Sequence, residues 1–178
     1  MKSFSEKCIF LLQNWNVVEK LQVSIQSLEN EIKNVLTNMS EEVQEKNWWN
    51  SEIELTDSDR YFYFANKNWN KYIQIGIEHF QTKNLLGSSD HKSCYCFLWV
   101  TGPQRDNIIS GLEKILIKDK YFSEYYCSKP SYILKKYFKK YTEEDYEDFI
   151  KDDSFVEYVE FLEKVYLTIQ SYEIPSDS

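Results

Sequence analysis

The residues with the clearest chemical character lie in two adjacent runs of opposite charge. The first run is rich in lysine and tyrosine and includes Lys129, Lys135, Lys136, Tyr137, Lys139 and Lys140. Lysines can hold the phosphate backbone of a nucleic acid while aromatic rings stack on its bases. Because the chain has only two arginines, we expect such binding to follow the backbone and to weaken with salt. The same residues are also typical of a helix with a buried aromatic face and solvated lysines.

The second run is acidic and follows at once. Its candidate partner-binding residues are Glu143, Glu144, Asp148 and Asp152. A dense acidic surface repels nucleic acid, but it can occupy the basic groove of a protein that normally holds nucleic acid. The acidic run therefore predicts a protein partner, either a nuclease or a nucleoprotein complex, and we expect the partner to bind near the junction of the two runs.

A weaker pattern joins His91, Cys94 and Cys96, with Cys127 as a fourth candidate ligand. These ligand types suit zinc, although their spacing differs from that of a standard zinc knuckle. On a strand, Cys94 and Cys96 point to the same face as Leu98, so buried core thiols explain the pattern as well. We expect core thiols and no metal site.

Other groups with catalytic potential are few. The chain has two histidines, His79 and His91, and its four glycines are isolated rather than gathered in a phosphate-binding loop. His79 lies at the end of a predicted strand, where a hydrogen-bonded structural histidine is typical. The sequence therefore predicts a protein that is not an enzyme, with no catalytic residues and no cofactor.

Two helices are predicted before residue 50. Ser3 and Glu6 have the spacing of a capping box, which begins a short helix that runs to about Asn14. Asn16 is the predicted cap of a second helix of roughly 25 to 30 residues, which carries a heptad pattern. The apolar positions of this pattern are Val18, Leu21, Ile25, Leu28, Ile32, Val35 and Met39. Packing of the helix on a sheet explains the pattern, which also permits a homodimer through the long helix.

Four strands are predicted after the long helix, over residues 52–55, 60–65, 71–80 and 93–101. A polar turn at 66–70 joins the second and third strands as a hairpin. The fourth strand is apolar on both faces, so we expect it to be central and covered on both sides.

The remaining chain is predicted to be helical, and its last helix buries Val159, Leu162, Tyr166 and Ile169. The sequence thus predicts one α+β domain over residues 1–178. Its parts are N-terminal helices (1–50), a four-stranded antiparallel sheet (51–101), C-terminal helices (102–172) and a loose tail (173–178).

The aromatic strand pair at 61–64 and 72–78, followed by an amphipathic helix and the tyrosine- and lysine-rich run, resembles the C-terminal region of bacterial and phage PD-(D/E)XK nuclease-superfamily proteins. The resemblance covers residues 59–169 as an order of elements. The catalytic core of that family needs an acidic residue and a Glu/Asp-x-Lys triplet on a strand to hold a divalent cation. Here the triplet Glu31-Ile32-Lys33 falls within the predicted long helix. The resemblance therefore implies a non-catalytic region without nuclease activity.

The overall composition narrows the class of protein further. The chain has a net charge of −8 and 17% aromatic residues, and no run approaches the roughly 18 apolar residues of a membrane span. Its scarcity of Ala, Gly, Pro and Arg indicates an AT-rich genome, as in many phages and bacteria. We predict a cytoplasmic acidic inhibitor or regulator of a bacterial nucleic-acid-processing defence effector, with a logic like that of anti-CRISPR proteins. The alternative is an accessory module that binds nucleic acid, RNA included, through its lysine and tyrosine residues.

Overall fold

The computed structural model describes residues 5–86, 93–127, 131–142, 144, 146–149 and 155–175. The helices are α1 (Glu6–Gln13), α2 (Trp15–Glu45), α3 (Thr82–Leu85), α4 (Arg105–Leu116), α5 (Tyr146–Phe149) and α6 (Val156–Ile169). The strands are β1 (Ile53–Ser58), β2 (Tyr61–Asn66), β3 (Ile73–Glu78), β4 (Tyr95–Val100) and β5 (Tyr132–Tyr137). Across these ranges, no helix is long and apolar enough to cross a bilayer.

The strands form one antiparallel sheet in the order β1-β2-β3-β4-β5, so that neighbours in the sequence are neighbours in space. The predicted hairpin of β2 and β3 is confirmed, and it closes through a 3₁₀ turn at Lys67–Trp69. After this turn Asn70 and Lys71 take positive φ angles of 48° and 62°, which reverse the chain into β3. The predicted α+β class and the long N-terminal helix are confirmed as well.

The sheet has five strands, and the prediction of four is wrong. β5 lies in the lysine- and tyrosine-rich run, where helix was predicted. Two adjacent lysines, Lys135 and Lys136, interrupt the alternation of apolar and polar residues by which a half-buried strand is recognised. In the structure their ammonium groups lie over aromatic rings, Lys135 over Tyr95 and Lys136 over Tyr158, so both lysines are shielded from water within the strand.

The main core lies between one face of the sheet and the helices α2, α4 and α6. The central strands contribute alternate residues to it: Phe62, Phe64, Ile73, Ile75, Ile77, Cys96, Leu98 and Val100. From α6, Val159, Leu162, Tyr166 and Ile169 are all buried there, as the sequence predicts. The helices therefore form a single layer on one side of the sheet.

The other face of the sheet carries no described helix, although most of its side chains are buried or half-buried among themselves. β4 directs Tyr95 and Phe97 to this face, and neither residue belongs to the main core. β4 is an inner strand and is buried on both faces, as the sequence predicts. On the face away from the helices, Tyr95 and Phe97 are buried because the rings of Tyr132 and Tyr137 pack around them.

The long helix α2 has two different halves. It begins directly after Asn14, not at the predicted Asn16, because the Asn14 carbonyl accepts hydrogen bonds from the backbone N–H groups of Val17 and Val18. Its buried residues all come from its C-terminal half: Ile32, Leu36, Met39, Ser40 and Val43. The triplet at residues 31–33 thus lies on a helix and contributes Ile32 to the core.

Candidate functional site

The open face of the sheet is the candidate site. We use this name for the side chains that β2 to β5 direct away from the helices, together with Thr56 and Ser58 of β1. The aromatic members are Tyr61, Tyr63, Tyr95, Phe97, Trp99, Tyr132 and Tyr137, and the others are Ala65, Gln74, Gly76, Glu78 and Lys135. Seven aromatic residues on one face of a sheet form a broad platform for contact.

A β-bulge in β5 determines which face of the sheet one of these aromatic residues occupies. Leu98 pairs with Leu134, but the next residue of β4, Trp99, pairs with Tyr132, so Ile133 is an extra residue on β5. Ile133 and Leu134 both belong to the main core. The bulge therefore reverses the alternation and brings Tyr132 to the open face.

Gly76 lets the strands approach each other at the centre of the open face. A Cβ atom on this residue would collide with the carbonyl oxygen of Phe62 and would lie 2.6 Å from the Cα of Tyr63. Since both obstacles are backbone atoms of β2, no side-chain movement would relieve the collision. The glycine therefore allows Tyr63 to pack directly beside β3.

A hydrogen-bonded cluster occupies one side of this face. The hydroxyl of Tyr95 donates to Glu78 Oε2 at 2.6 Å, and the hydroxyl of Tyr132 donates to the same oxygen at 3.1 Å. Burial is the largest cause that raises the pKa of Tyr95 well above its ordinary value, and the hydrogen bond to Glu78 adds to it. Burial also raises the pKa of Tyr132. Both phenols therefore stay protonated and act as donors at neutral pH.

Lys135 adds a positive charge to the same cluster. Its Nζ lies 3.5 Å from the centre of the Tyr95 ring and 3.8 Å from that of Tyr132, and the residue is only 6% exposed. A cation held over aromatic faces out of water contributes about 2 kcal/mol. The arrangement keeps Glu78, two tyrosines and Lys135 in fixed positions, so the centre of the platform is rigid.

Two tyrosines at the ends of the platform are accessible. Tyr137 is 55% exposed and Tyr61 is 36% exposed. Tyr137 of β5 pairs with Tyr95 of β4. Tyr61 lies on β2 and directly precedes Phe62, which pairs with β3. Because adjacent strands are about 4.8 Å apart, the two rings stand roughly 15 Å from each other across the sheet. A partner that lies across the strands could contact both.

The structure divides the predicted lysine surface between two faces of β5. Lys135 belongs to the open face, whereas Lys136 points to the helix side and its Nζ lies 2.8 Å from Glu157 Oε2. Lys139 Nζ lies 3.9 Å from Asp148 Oδ2, Lys140 is half-buried, and Lys129 lies outside the described residues. The described lysines of this run therefore do not lie together on one face of the sheet.

The predicted acidic surface is only partly described. Glu144 and Asp148 are exposed, and Asp148 lies near Lys139. Glu143 and Asp152 lie outside the described residues. The binding role of these four carboxylates stays a prediction.

The predicted thiols lie in two environments. Cys94 and Cys96 are buried, and burial raises the pKa of both thiols well above the ordinary value. Cys127 is half-buried, and His91 lies outside the described residues. Within the described ranges, no group of three or more His, Cys, Asp or Glu side chains is placed to hold a metal ion.

Sequence reasoning missed the open face, although one signal for it was present. In β3 the residues that alternate with Ile73, Ile75 and Ile77 include Gln74 and Glu78, which are polar. A sheet with such a strand at its centre has one face suited to solvent. Combined with the aromatic residues 95, 97 and 99 of the neighbouring strand, this pattern indicates an aromatic face without a second layer.

Comparison of the chain with protein-family models, with curated proteins and with solved structures finds no match. The resemblance to the nuclease superfamily therefore stays a prediction, and the geometry of the open face carries the functional argument.

Proposed function

We propose that this chain is a non-enzymatic binding protein that docks a partner protein on the open face of its sheet. The observation that carries the proposal is the aromatic platform with Tyr61 and Tyr137 exposed at its ends and with no described helix above it. Tyrosine, tryptophan and phenylalanine are enriched at protein interfaces, where buried aromatic anchors supply most of the binding energy. The rigid cluster around Glu78 reduces the entropy that the platform loses on binding.

Charge favours a protein over a nucleic acid as the partner. Lys135 lies over two tyrosine rings, Lys136 pairs with Glu157, and Lys139 lies near Asp148. These contacts enclose or pair three lysines of the lysine- and tyrosine-rich run, while the whole chain carries −8. Such a chain repels a polyphosphate at long range and attracts a basic protein surface.

The partner that best fits this charge is a bacterial nucleic-acid-processing defence effector, a nuclease or a nucleoprotein complex. Proteins of this class have basic grooves, toward which an acidic chain is steered. In the proposed mechanism the net charge raises the rate of encounter, and the aromatic platform holds the complex together. Bound in this way, the chain would act as an inhibitor or regulator in the bacterial cytoplasm.

The experiment uses a panel of purified bacterial CRISPR nucleases and three forms of the chain: wild type, the double variant Tyr61→Ala/Tyr137→Ala, and Tyr146→Ala. Tyr146, which is 40% exposed on α5, does not belong to the open face, so its variant is the control. We expect wild type and the control to bind and inhibit a nuclease, and the double variant to bind at least about tenfold more weakly. Absence of binding to every nuclease would contradict the effector proposal. Equal binding by the double variant would contradict docking on the open face.

Nucleic acid is the second candidate partner, since exposed rings on a sheet can stack on unpaired bases. The exposed rings of Tyr61 and Tyr137 are the observation that favours it. This alternative predicts that the wild-type chain retards single-stranded RNA or DNA in a gel at low salt and releases it as salt rises. No retardation at low salt would contradict it.

A further inference from the structure

The N-terminal helices carry an exposed apolar surface that the open face does not explain. We call residues 5–28, which comprise α1 and the first half of α2, the arm. None of these residues is buried. Val18 and Leu28 are half-buried, and nine other large apolar side chains of the arm are between 43% and 67% exposed: Ile9, Phe10, Leu11, Leu12, Trp15, Val17, Leu21, Val23 and Ile25. Exposed apolar surface of this extent marks an interaction site.

The exposed surface of the arm continues a surface that is already used for packing. Along α2, residues 17, 18, 21 and 25 lie on the same side of the helix as 32, 36, 39 and 43, because each step of three or four residues returns to that side. The second group packs into the main core, whereas no residue of the first group belongs to that core or to the side chains packed against it. This side of α2 is an apolar stripe, and within one chain only its C-terminal half is covered.

The charge of the arm indicates what covers the exposed half of the stripe. The arm contains Glu6, Lys7, Glu19 and Lys20, whose charges cancel, so the whole net charge of −8 belongs to the rest of the chain. A neutral surface does not select an acidic or basic partner. It also lacks the basic polar face that draws an amphipathic helix to anionic lipid. A second arm, equally neutral and equally apolar, matches it.

The exposed surface of the arm suits a pair of helices. Val17, Leu21 and Ile25 of the stripe, together with Phe10 and Leu11 of α1, offer on the order of 500 Å² of apolar surface, and the polar side chains between them extend it toward the roughly 800 Å² that each partner contributes to a standard interface. The arm is also a helix with little tertiary support of its own, and helices of this length are marginal when isolated in water. Association would stabilise it.

We propose that two copies of this chain associate through their arms, and that the two arms run antiparallel. In each copy, the rest of the described chain, which we call the body, packs on the same side of α2 that the arm offers to the partner. Parallel arms would therefore bring both acidic bodies to one end and one side, where they would collide and repel each other. Antiparallel arms place each body beyond the tip of the other arm and form a two-fold symmetric interface.

Sedimentation equilibrium of the full chain tests the association. The chain has a mass of 21.5 kDa, and we expect wild type to sediment at twice that mass. The variant Leu21→Asp/Ile25→Asp changes two exposed residues of the stripe, so it should stay folded by circular dichroism and sediment as a monomer. The matched control Ile117→Asp/Leu167→Asp changes two exposed apolar residues outside the arm and should remain a dimer. A monomeric wild type at about 100 μM, or a dimeric arm variant, would overturn the proposal.

A spin label on Cys8 tests the orientation. Cys8 is exposed on α1, and a Cys127→Ser background removes the half-buried thiol. At 1.5 Å per residue, antiparallel arms hold the two labels about 30 Å apart, whereas parallel arms hold them within about 15 Å. The short distance would overturn the antiparallel arrangement. Binding of a monomeric wild type to vesicles of neutral phospholipid would show instead that the arm is a membrane surface helix, which also overturns the proposal.

Discussion

The ammonium nitrogen of Lys135 lies 3.5 Å from the centre of the Tyr95 ring, so a lysine is buried within an aromatic sheet face. The lysine is held there by two rings and shares the face with the carboxylate of Glu78, which accepts hydrogen bonds from the same two tyrosines. This cluster gives the open face a fixed shape and explains why a lysine-rich segment forms a strand.

Removal of the buried cation should destabilise the fold. We expect Lys135→Met to lower the free energy of unfolding by about 1–2 kcal/mol, because the variant keeps the apolar stem but loses the cation–π contacts. Chemical denaturation of both proteins measures the difference. Lys118→Met, at an exposed lysine after α4, is the control and should change stability by less than about 0.5 kcal/mol. An equal effect of the two substitutions would contradict the role assigned to Lys135.

Stability at high pH should depend on Tyr95. Its pKa is raised in the folded protein, so folding is favoured by the protonated phenol at any pH below the ordinary value of about 10. Above that pH the unfolded chain loses the proton while the folded chain keeps it, and the free energy of unfolding falls. We expect Tyr95→Phe to reduce the slope of this fall between about pH 10 and 11.5, measured by denaturation at each pH. An unchanged slope in Tyr95→Phe would contradict the buried environment of this phenol.

The central glycine of the open face should tolerate no side chain. Gly76→Ala places a Cβ against the backbone of β2, which only a shift of the strands can relieve. We expect a loss of about 1–3 kcal/mol in the free energy of unfolding. Gln74→Ala, on the same strand and the same face, is the control and should have a smaller effect. If Gly76→Ala were as stable as wild type, the close approach of β2 and β3 would be incorrect.

The four thiols should react in an order set by their burial. Cys8 is exposed, Cys127 is half-buried, and Cys94 and Cys96 are buried with raised pKa values. In the native protein at pH 8 we expect a maleimide to modify Cys8 first and Cys127 more slowly. Modification of Cys94 and Cys96 should require unfolding, and peptide mass spectrometry resolves the sites. Rapid labelling of Cys96 in the native protein would contradict its position beneath α6.

Much of the fold was predictable because the apolar pattern is regular where elements pack on one side. The stripe of α2 and the buried residues of α6 follow a helical period, and β3 alternates Ile73, Ile75 and Ile77 with other residues. The fifth strand was not predictable in this way. Its buried positions include Lys135, which is stabilised by Tyr95 and Tyr132, and the contact between Lys135 and Tyr95 joins residues of different strands. No local pattern reports such a contact.

The candidate site was predictable only in its composition. Tyr137 and Lys135 were expected at a binding surface, and both lie on the open face. The separation of Lys136 from Lys135 by the alternation of β5, and the arrival of Tyr132 through the bulge, depend on strand pairing. The surface was therefore expected to be basic, whereas the structure gives an aromatic face with its lysine enclosed.

Hydroxyl-radical footprinting of the complex with its partner protein decides whether the partner docks on the open face, since it reports which side chains the partner covers. The free chain and the purified complex are exposed to the same radical dose, and the oxidation of Tyr61, Tyr137 and Tyr146 is quantified by mass spectrometry. Docking on the open face predicts that oxidation of Tyr61 and Tyr137 falls several-fold in the complex while that of Tyr146 is unchanged. Undiminished oxidation of Tyr61 and Tyr137 in the complex would contradict the claim.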